Sequence, residues 1–460
     1  MSDSETQRLL SNTPYILTPK RWWILFIVSS ILFLDSFSAS FFGFINDVTS
    51  EYFETTPAAT DFLSTVNMLS RSVFGFVLAM GGEQFNFRSL ALAATGTIVA
   101  GDLLITAGVS SRRNMVIVGM GQIMNGFGAT ITLTLSQMAP SNWFPENERG
   151  RAVALPWILR RLSPVLSNIV ATRTIRQGYY SIDNVNTTTR YFDNNDLMTN
   201  FRTSFQISYL VLTGIALAGF VLAQLYVTDY PPRADGQKMP PRANNYTWRP
   251  LTELKGIFSL FVNGQYVLLL FMFVLQLSLR PMVEWMLSSI IIVAFPELDD
   301  GTAGIVFIVS YVIGAFGSPT GGFILDQFRR PKVTLVFGQC AAIVSCCMFS
   351  LGVYLQSFPL VFVSDVLSAF FRDLCFVCIS HSLIETMYNE PADTKVRAFS
   401  ISGSVPWFSL ALYTGIVRYV LQHGGAALSV LIPIPFHVIA GILYILFYKV
   451  PQKNNENDFN

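Results

Sequence analysis

The amino-acid sequence predicts an all-α membrane protein with twelve transmembrane helices in two six-helix halves, and three observations carry that expectation. Of 460 residues, 52% are hydrophobic and only 13% charged, too apolar a balance for an ordinary soluble protein. A spanning helix needs about 20 largely apolar residues. Twelve such runs stand out, near 22–45, 61–82, 89–109, 114–139, 151–171, 204–227, 264–293, 302–325, 332–354, 358–386, 397–421 and 426–448. Finally, the stretch 321–332, GGFILDQFRRPK, has a weaker copy at 79–89, AMGGEQFNFRS, in which Glu83-Gln84-Phe85 answers Asp326-Gln327-Phe328. The copies lie 243 residues apart (326 minus 83), about half the chain, which points to an internal duplication.

In chain order, residues 1–20 form a polar tail, 21–227 the first six-helix half, 228–256 a linker, 257–449 the second half and 450–460 a second tail. The linker is marked by Pro231, Pro232, Pro240 and Pro241. Of the 30 Lys and Arg residues, 18 fall on segments that share a side with the amino terminus and 6 on the opposite loops. That bias places both termini in the cytosol. The long opposite loop, about 172–203, carries the glycosylation sequon Asn186-Thr187-Thr188. A second sequon at Asn245 falls in the linker and is expected to stay unmodified; glycan on Asn245 but not on Asn186 would overturn the orientation. The first tail contains Glu5-x-x-x-Leu9-Leu10, which matches an acidic dileucine sorting signal for a clathrin adaptor or arises by coincidence.

Several classes are disfavoured. A formal charge of +1 gives no field for nucleic acid. The first apolar run is too long and Trp-rich for a cleavable signal peptide. All five cysteines lie inside apolar runs, so no structural disulfide is expected and Cys375-x-x-Cys378 reads as packing rather than redox chemistry. With three His and no nucleophile–base pair, ligand cluster or phosphate loop, the sequence predicts neither an enzyme nor a cofactor or metal site.

Ionisable residues inside spans are costly and usually face a cavity or a partner. Here they are Asp35, Arg71, Asp102, Arg160 and Arg161 in the first half, and Arg280, Glu284, Asp365, Arg372, Asp373, His381 and Glu385 in the second. Asp35, Glu284, His381 and Glu385 are the proton-coupling candidates. Asp35 is equally able to pair with Arg71 or a fifth-helix arginine, and His381 and Glu385, four residues apart, to form a structural pair rather than a relay. Arg160 and Arg161 point about 100° apart, so at most one, Arg161 by preference, readily faces a central cavity; the alternative is that both bind lipid phosphate or helix-end carbonyls. Gly119, Gly121, Gly126 and Gly128, with Gly314, Gly317 and Gly321, mark close helix contacts.

The hinge Gly322, Asp326, Arg329, Arg330 and Lys332 resembles the loop motif of the major facilitator superfamily. That resemblance implies alternating access about a midplane cavity, with Glu83, Gly322, Asp326, Arg329 and Arg330 in gating. Two segments, Trp143-Phe144-x-x-x-Glu148-Arg149-x-x-Ala152 and Gly317-Ser318-x-x-x-Gly322-x-x-Leu325-Asp326, resemble the feline leukaemia virus subgroup C receptor family (solute carrier family 49) of haem, choline and vitamin transporters. Two more are most similar to its lysosomal disrupted in renal carcinoma protein 2 branch: Gly121-Gln122-x-x-Asn125-Gly126, and Glu385-Thr386-x-Tyr388 with Pro391 nearby. The branch also carries an acidic dileucine signal, which strengthens sorting at Leu9-Leu10. Where choline-handling members have a first-helix Trp, a fifth-helix Gln and an eleventh-helix Gln, this chain aligns Ala39, Arg161 and Ser404. An aromatic cage for a quaternary ammonium is then missing at that position.

The resemblance thus implies a monomeric secondary transporter of a small organic solute, a pyridoxine-like vitamin favoured, driven by protons across a lysosomal or other endomembrane, with the plasma membrane as the alternative. Ala39, Gln122, Asn125, Arg161 and Ser404 are its expected solute-binding residues, and Arg161 equally suits an anionic solute. Haem, choline or ethanolamine remain alternative substrates. A different class, a non-transporting nutrient sensor or scaffold, would show a cavity plugged by side chains such as Phe41, Phe42 and Trp407.

Overall fold

The computed structural model describes residues 18–82, 85–110, 114–176, 195–232, 250–285, 287–298 and 300–449. Glu5, Leu9, Leu10, Glu83, Asn186 and Asn245 lie outside the described residues, as do the side chains of Arg280 and Glu284. The first half comprises α1 (Lys20–Phe44), α2 (Pro57–Met80), α3 (Phe87–Gly108), α4 (Met115–Trp143), α5 (Glu146–Ala171) and α6 (Asn195–Tyr226). The second comprises α7 (Gly264–Trp285, followed by Leu287–Ala294), α8 (Asp300–Phe328), α9 (Pro331–Tyr354), α10 (Phe358–Thr386), α11 (Ala392–Leu431) and α12 (Pro433–Phe447). Among the described residues this is the expected twelve-helix membrane bundle.

Local chemistry sets the helix starts. Thr56 accepts from the Ala59 N–H ahead of Pro57, and Asn114 accepts from the Val116 and Ile117 N–H groups, which satisfies donors that the first turn leaves open. α11 is kinked at Gly425, whose φ of 84° suits a residue without a Cβ; the last membrane run therefore extends over Gly425–Phe447 and contains α12. Within the expected linker a helix begins, Pro250–Val262, and it meets the start of α7 at 87°.

Eight helices among the described residues are apolar and long enough to cross a membrane, and nine if that bent pair counts as one span. The three that fall short, α5, α10 and α11, interrupt their apolar runs with Arg160, Arg161, Arg372, Asp373 and a series of serines. These helices pack centrally. α5 packs on α1 and, across the two halves, on α8; α11 packs on α7 and, across the halves, on α2. Glycines allow the close crossings: a Cβ at Gly322 would sit 2.6 Å from Gly150 O and 3.0 Å from Ala154 Cβ, so α5 and α8 touch backbone to backbone there. By contrast α6 turns Ile207, Leu210, Val211 and Leu217 outward, as a lipid-facing helix must.

Candidate functional site

A cavity of about 100 Å³ lies between the halves, room for several waters or one small organic solute. Ser36, Ala39 and Ser40 reach it from α1, Asn67 and Arg71 from α2, and Trp157, Arg160 and Arg161 from α5. The second half contributes Gln276 of α7, Tyr311 of α8, Asp373 and Phe376 of α10 and Trp407 of α11.

Its electrostatics are those of arginines laid on aromatic rings. Arg161 lies 3.8 Å above the Tyr311 ring and its Nε is 3.0 Å from Asp373 Oδ2, an ion pair that joins the two halves. Gly314 makes room for it, since a Cβ there would meet Asp373 Oδ2 at 2.8 Å and Arg161 Nη2 at 3.1 Å. Arg160 lies 4.9 Å from the Trp157 ring and 5.5 Å from Trp407, and Arg71 lies 4.5 Å from Trp407. Behind the wall, Arg71 donates to Asp35 Oδ1 at 3.0 Å and to Asn67 Oδ1 at 2.8 Å. Among the described residues, the three guanidiniums Arg71, Arg160 and Arg161 are thus set against two carboxylates, Asp35 and Asp373.

At the end of the bundle rich in Lys and Arg, here the basic end, the halves are latched. Asp326 of α8 accepts from the Gly150 N–H at 2.7 Å, the Arg151 N–H at 3.1 Å and Arg151 Nε at 2.8 Å. Arg149 pairs with Glu385 and lies 4.2 Å above the Tyr388 ring. On the other seam Arg397 bonds Asp393 at 2.9 Å and Glu253 at 2.7 Å, the latter from the helix before α7. Lys395 also approaches Tyr388, at 5.3 Å; burial, then the Arg149 charge, brings its ammonium down to about 8.

Of the expected solute-binding residues, Ala39 and Arg161 line the cavity and the others lie elsewhere. Asn125 donates to Ser38 and Asp102 inside the first half, and Gln122 is buried beside it. The Ser404 hydroxyl turns back onto Ser400 O, on the α2–α11 seam where Gly75 leaves it room. Among the proton candidates, Asp35 sits behind Arg71, and His381 lies 3.7 Å from Glu385 at the basic end rather than in the cavity. Gly322 and Asp326 form the α5–α8 latch, while Arg329 and Arg330 are exposed at the turn into α9. Both Arg160 and Arg161 reach the cavity, against the expectation of one, because long side chains bend around the helix face that separates them. The sequence had marked Asp373 only as a costly charge, and Arg71 only as a candidate partner of Asp35, the pair that the structure forms. Tyr311 and Trp157 gave no signal beyond their type.

The comparisons agree with this geometry. A model of the Major Facilitator Superfamily matches residues 28–286 and 277–459. The chain is 24% identical over 428 residues to the choline/ethanolamine transporter flvcr2a of Danio rerio, covering 92% of this chain and 85% of the relative. It is 20% identical over 323 residues to solute carrier family 49 member A3 of Xenopus tropicalis, covering 68% of this chain and 60% of that one. The fold matches that of the Escherichia coli fucose:proton symporter with a TM-score of 0.68 at 14% identity, over 92% of this chain and 98% of the symporter. With twelve helices in two halves, a glycine–aspartate latch between them and a cavity at their junction, the chain belongs to the Major Facilitator Superfamily, as a distant relative of the feline leukaemia virus subgroup C receptor and solute carrier 49 transporters.

Proposed function

We propose that this transporter carries a small neutral or anionic organic solute by alternating access through the cavity of Arg160, Arg161 and Asp373. One observation carries the proposal: the rings of Trp157, Trp407 and Tyr311 are approached by the protein's own guanidiniums, Trp157 by Arg160, Trp407 by Arg71 and Arg160, and Tyr311 by Arg161. A quaternary ammonium held there gains about 0.5–2 kcal/mol from the ring, whereas a like charge 4 Å away costs about 4 kcal/mol near a protein surface. Repulsion outweighs the attraction. A polar solute with hydroxyl or acidic groups avoids it by accepting from the arginines; a pyridoxine-like vitamin meets that description. Phe41 and Phe42 pack against Phe205 and Tyr209 instead of filling the cavity, and Trp407 forms part of its wall, which favours transport over a sensor or scaffold.

The membrane in this reading is lysosomal or another endomembrane and the driving ion is the proton, supported by the dileucine tail and by the buried acids. A second reading, transport of choline or ethanolamine, is favoured by the named activity of the flvcr2a relative and by Asp373, an anion at the cavity wall. Uptake into vesicles of a labelled panel of pyridoxine, choline, ethanolamine and haem decides between them, with and without an imposed pH gradient. Pyridoxine uptake that shifts in preference on Arg161→Gln is expected. Choline uptake by the unaltered chain, with no pyridoxine uptake, would reverse the ranking.

A further inference from the structure

The geometry points to Asp102 as a proton-binding site of the first half, distinct from the solute cavity and from the latches. α3 carries this one acid, and it is 1% exposed. Four other acids with little exposed side chain have an arginine, Asp35 with Arg71, Asp373 with Arg161, Asp326 with Arg151 and Glu253 with Arg397, while Asp365 takes the Ser310 hydroxyl. Asp102 has no ion pair among the described residues. Its hydrogen bonds come from neutral donors and fall on one oxygen: Ser38 Oγ at 3.1 Å and Asn125 Nδ2 at 2.9 Å, both to Oδ1. An uncompensated charge at this depth is costly, so an intramembrane acid of this kind is a functional residue by default.

The neighbouring amide supplies an independent observation. Asn125 is 1% exposed and its Oδ1 is buried with no donor. A carboxylic acid and a primary amide pair through two bonds, the acid carbonyl accepting from the amide N–H and the acid hydroxyl donating to the amide oxygen. The first of these bonds is formed. A proton on Asp102 Oδ2 supplies the donor that Asn125 Oδ1 lacks, and loss of that proton leaves the amide oxygen unpaired again.

The surroundings are consistent on every side. α4, α6 and α1 pack against α3. α4 carries no charged residue; α6 presents Tyr209, which donates to Ser38 O at 3.4 Å; α1 presents Asp35, already held by Arg71. Ser38 is the connection to the cavity. It donates to Asp102 and accepts from Asn125 at 3.0 Å, it precedes the cavity residue Ala39, and it lies about one turn from Asp35. Proton occupancy at Asp102 therefore bears on the position of α1, a wall of the cavity. This coupling rests on the transporter reading; the binding of the proton does not.

The test uses the full-length chain reconstituted in vesicles, with infrared difference spectra taken between about pH 5 and 8. The expected result is a carbonyl band of a protonated buried carboxyl that changes with pH, vanishes in Asp102→Asn and persists in Asp35→Asn. Ser38→Ala, which removes a donor to Asp102, is expected to shift the band and serves if Asp102→Asn does not fold. No band, a band indifferent to pH, or one retained in Asp102→Asn overturns the proposal. Pyridoxine is then the transport probe: Asp102→Asn should keep exchange but lose roughly tenfold in gradient-driven accumulation, a change of about 1.4 kcal/mol. Undiminished accumulation in Asp102→Asn overturns the coupling while transport stands. A titrating Asp102 band in a chain that moves no pyridoxine supports the proton site and removes the pyridoxine reading.

Discussion

Replacing Asp326 by Asn tests the basic-end latch most directly. The Asp326 side chain is 6% exposed and takes two backbone N–H groups of α5, while the Arg151 side chain that also bonds it is 53% exposed. The Arg151 ion pair is therefore worth about 0–1 kcal/mol, and the two backbone bonds to a charged acceptor about 1.5–3 kcal/mol each. Asn keeps one acceptor, at neutral strength, and turns an amide donor toward the Arg151 N–H. The net loss is about 2–4 kcal/mol, which shifts the closed-to-open equilibrium at this end roughly 30- to 700-fold. Because α5 and α8 belong to different halves, that loss falls on the closed state. Spin labels at Asn147→Cys and Gln327→Cys, both exposed, with the exposed Cys340 and Cys347 replaced by Ser, report the separation. A longer-distance population should appear in Asp326→Asn. A folded variant with an unchanged distance distribution would refute the latch.

Three other outcomes are expected. Charge reversal at Asp326 should impair uptake more than reversal at Glu83, since the first copy of the hinge has Asn86-Phe87 where the second has Arg329-Arg330; equal or opposite effects refute that ordering. Gly314→Ala should cost about 1–3 kcal/mol through crowding of the Arg161–Asp373 pair, seen as a lower unfolding temperature in detergent, while Gly96→Ala, whose Cβ would meet nothing nearer than Phe220 at 3.9 Å, should change little. Lys395 sits at about 8, below its usual 10.5, so the unfolded chain binds more protons between those values and stability rises with pH across that window. Lys395→Gln should accordingly raise the unfolding temperature near neutral pH, by an amount that fades above about pH 10.5; a difference independent of pH would contradict this origin.

The helices were legible because the bilayer imposes one length and one polarity on every span, even on α5, α10 and α11, where charges lower the mean hydropathy. The cavity was less so. Asn125 and Ser404 look like solute ligands in a linear reading, since a polar residue in a span needs a partner, but a neighbouring helix or a carbonyl of the same helix supplies it. Asp373 stands next to Arg372 in the chain, and nothing local reveals that it pairs with Arg161 of the other half. Trp407 reads as a plug until Arg71 and Arg160 are seen against its ring.

The two seams are built alike, and their difference bears on how solute opens them. Arg151 on α5 meets Asp326 of the hinge, while Arg397 on α11 meets Glu253, an acid of the helix before α7 that no copy of the hinge contains. Closure at the basic end is therefore shared between the duplicated hinge and the segment that joins the halves. Between the seams, the Arg161–Asp373 pair holds the halves together at the cavity itself. In the proposed cycle an acceptor group on the solute takes the place of Asp373 at Arg161, and binding then removes one of the contacts that hold the halves in register. A quaternary ammonium offers no acceptor on its charged group, so it competes for Asp373 and leaves Arg161 beside a second cation. In this proposal, solute choice and gating depend on the same ion pair.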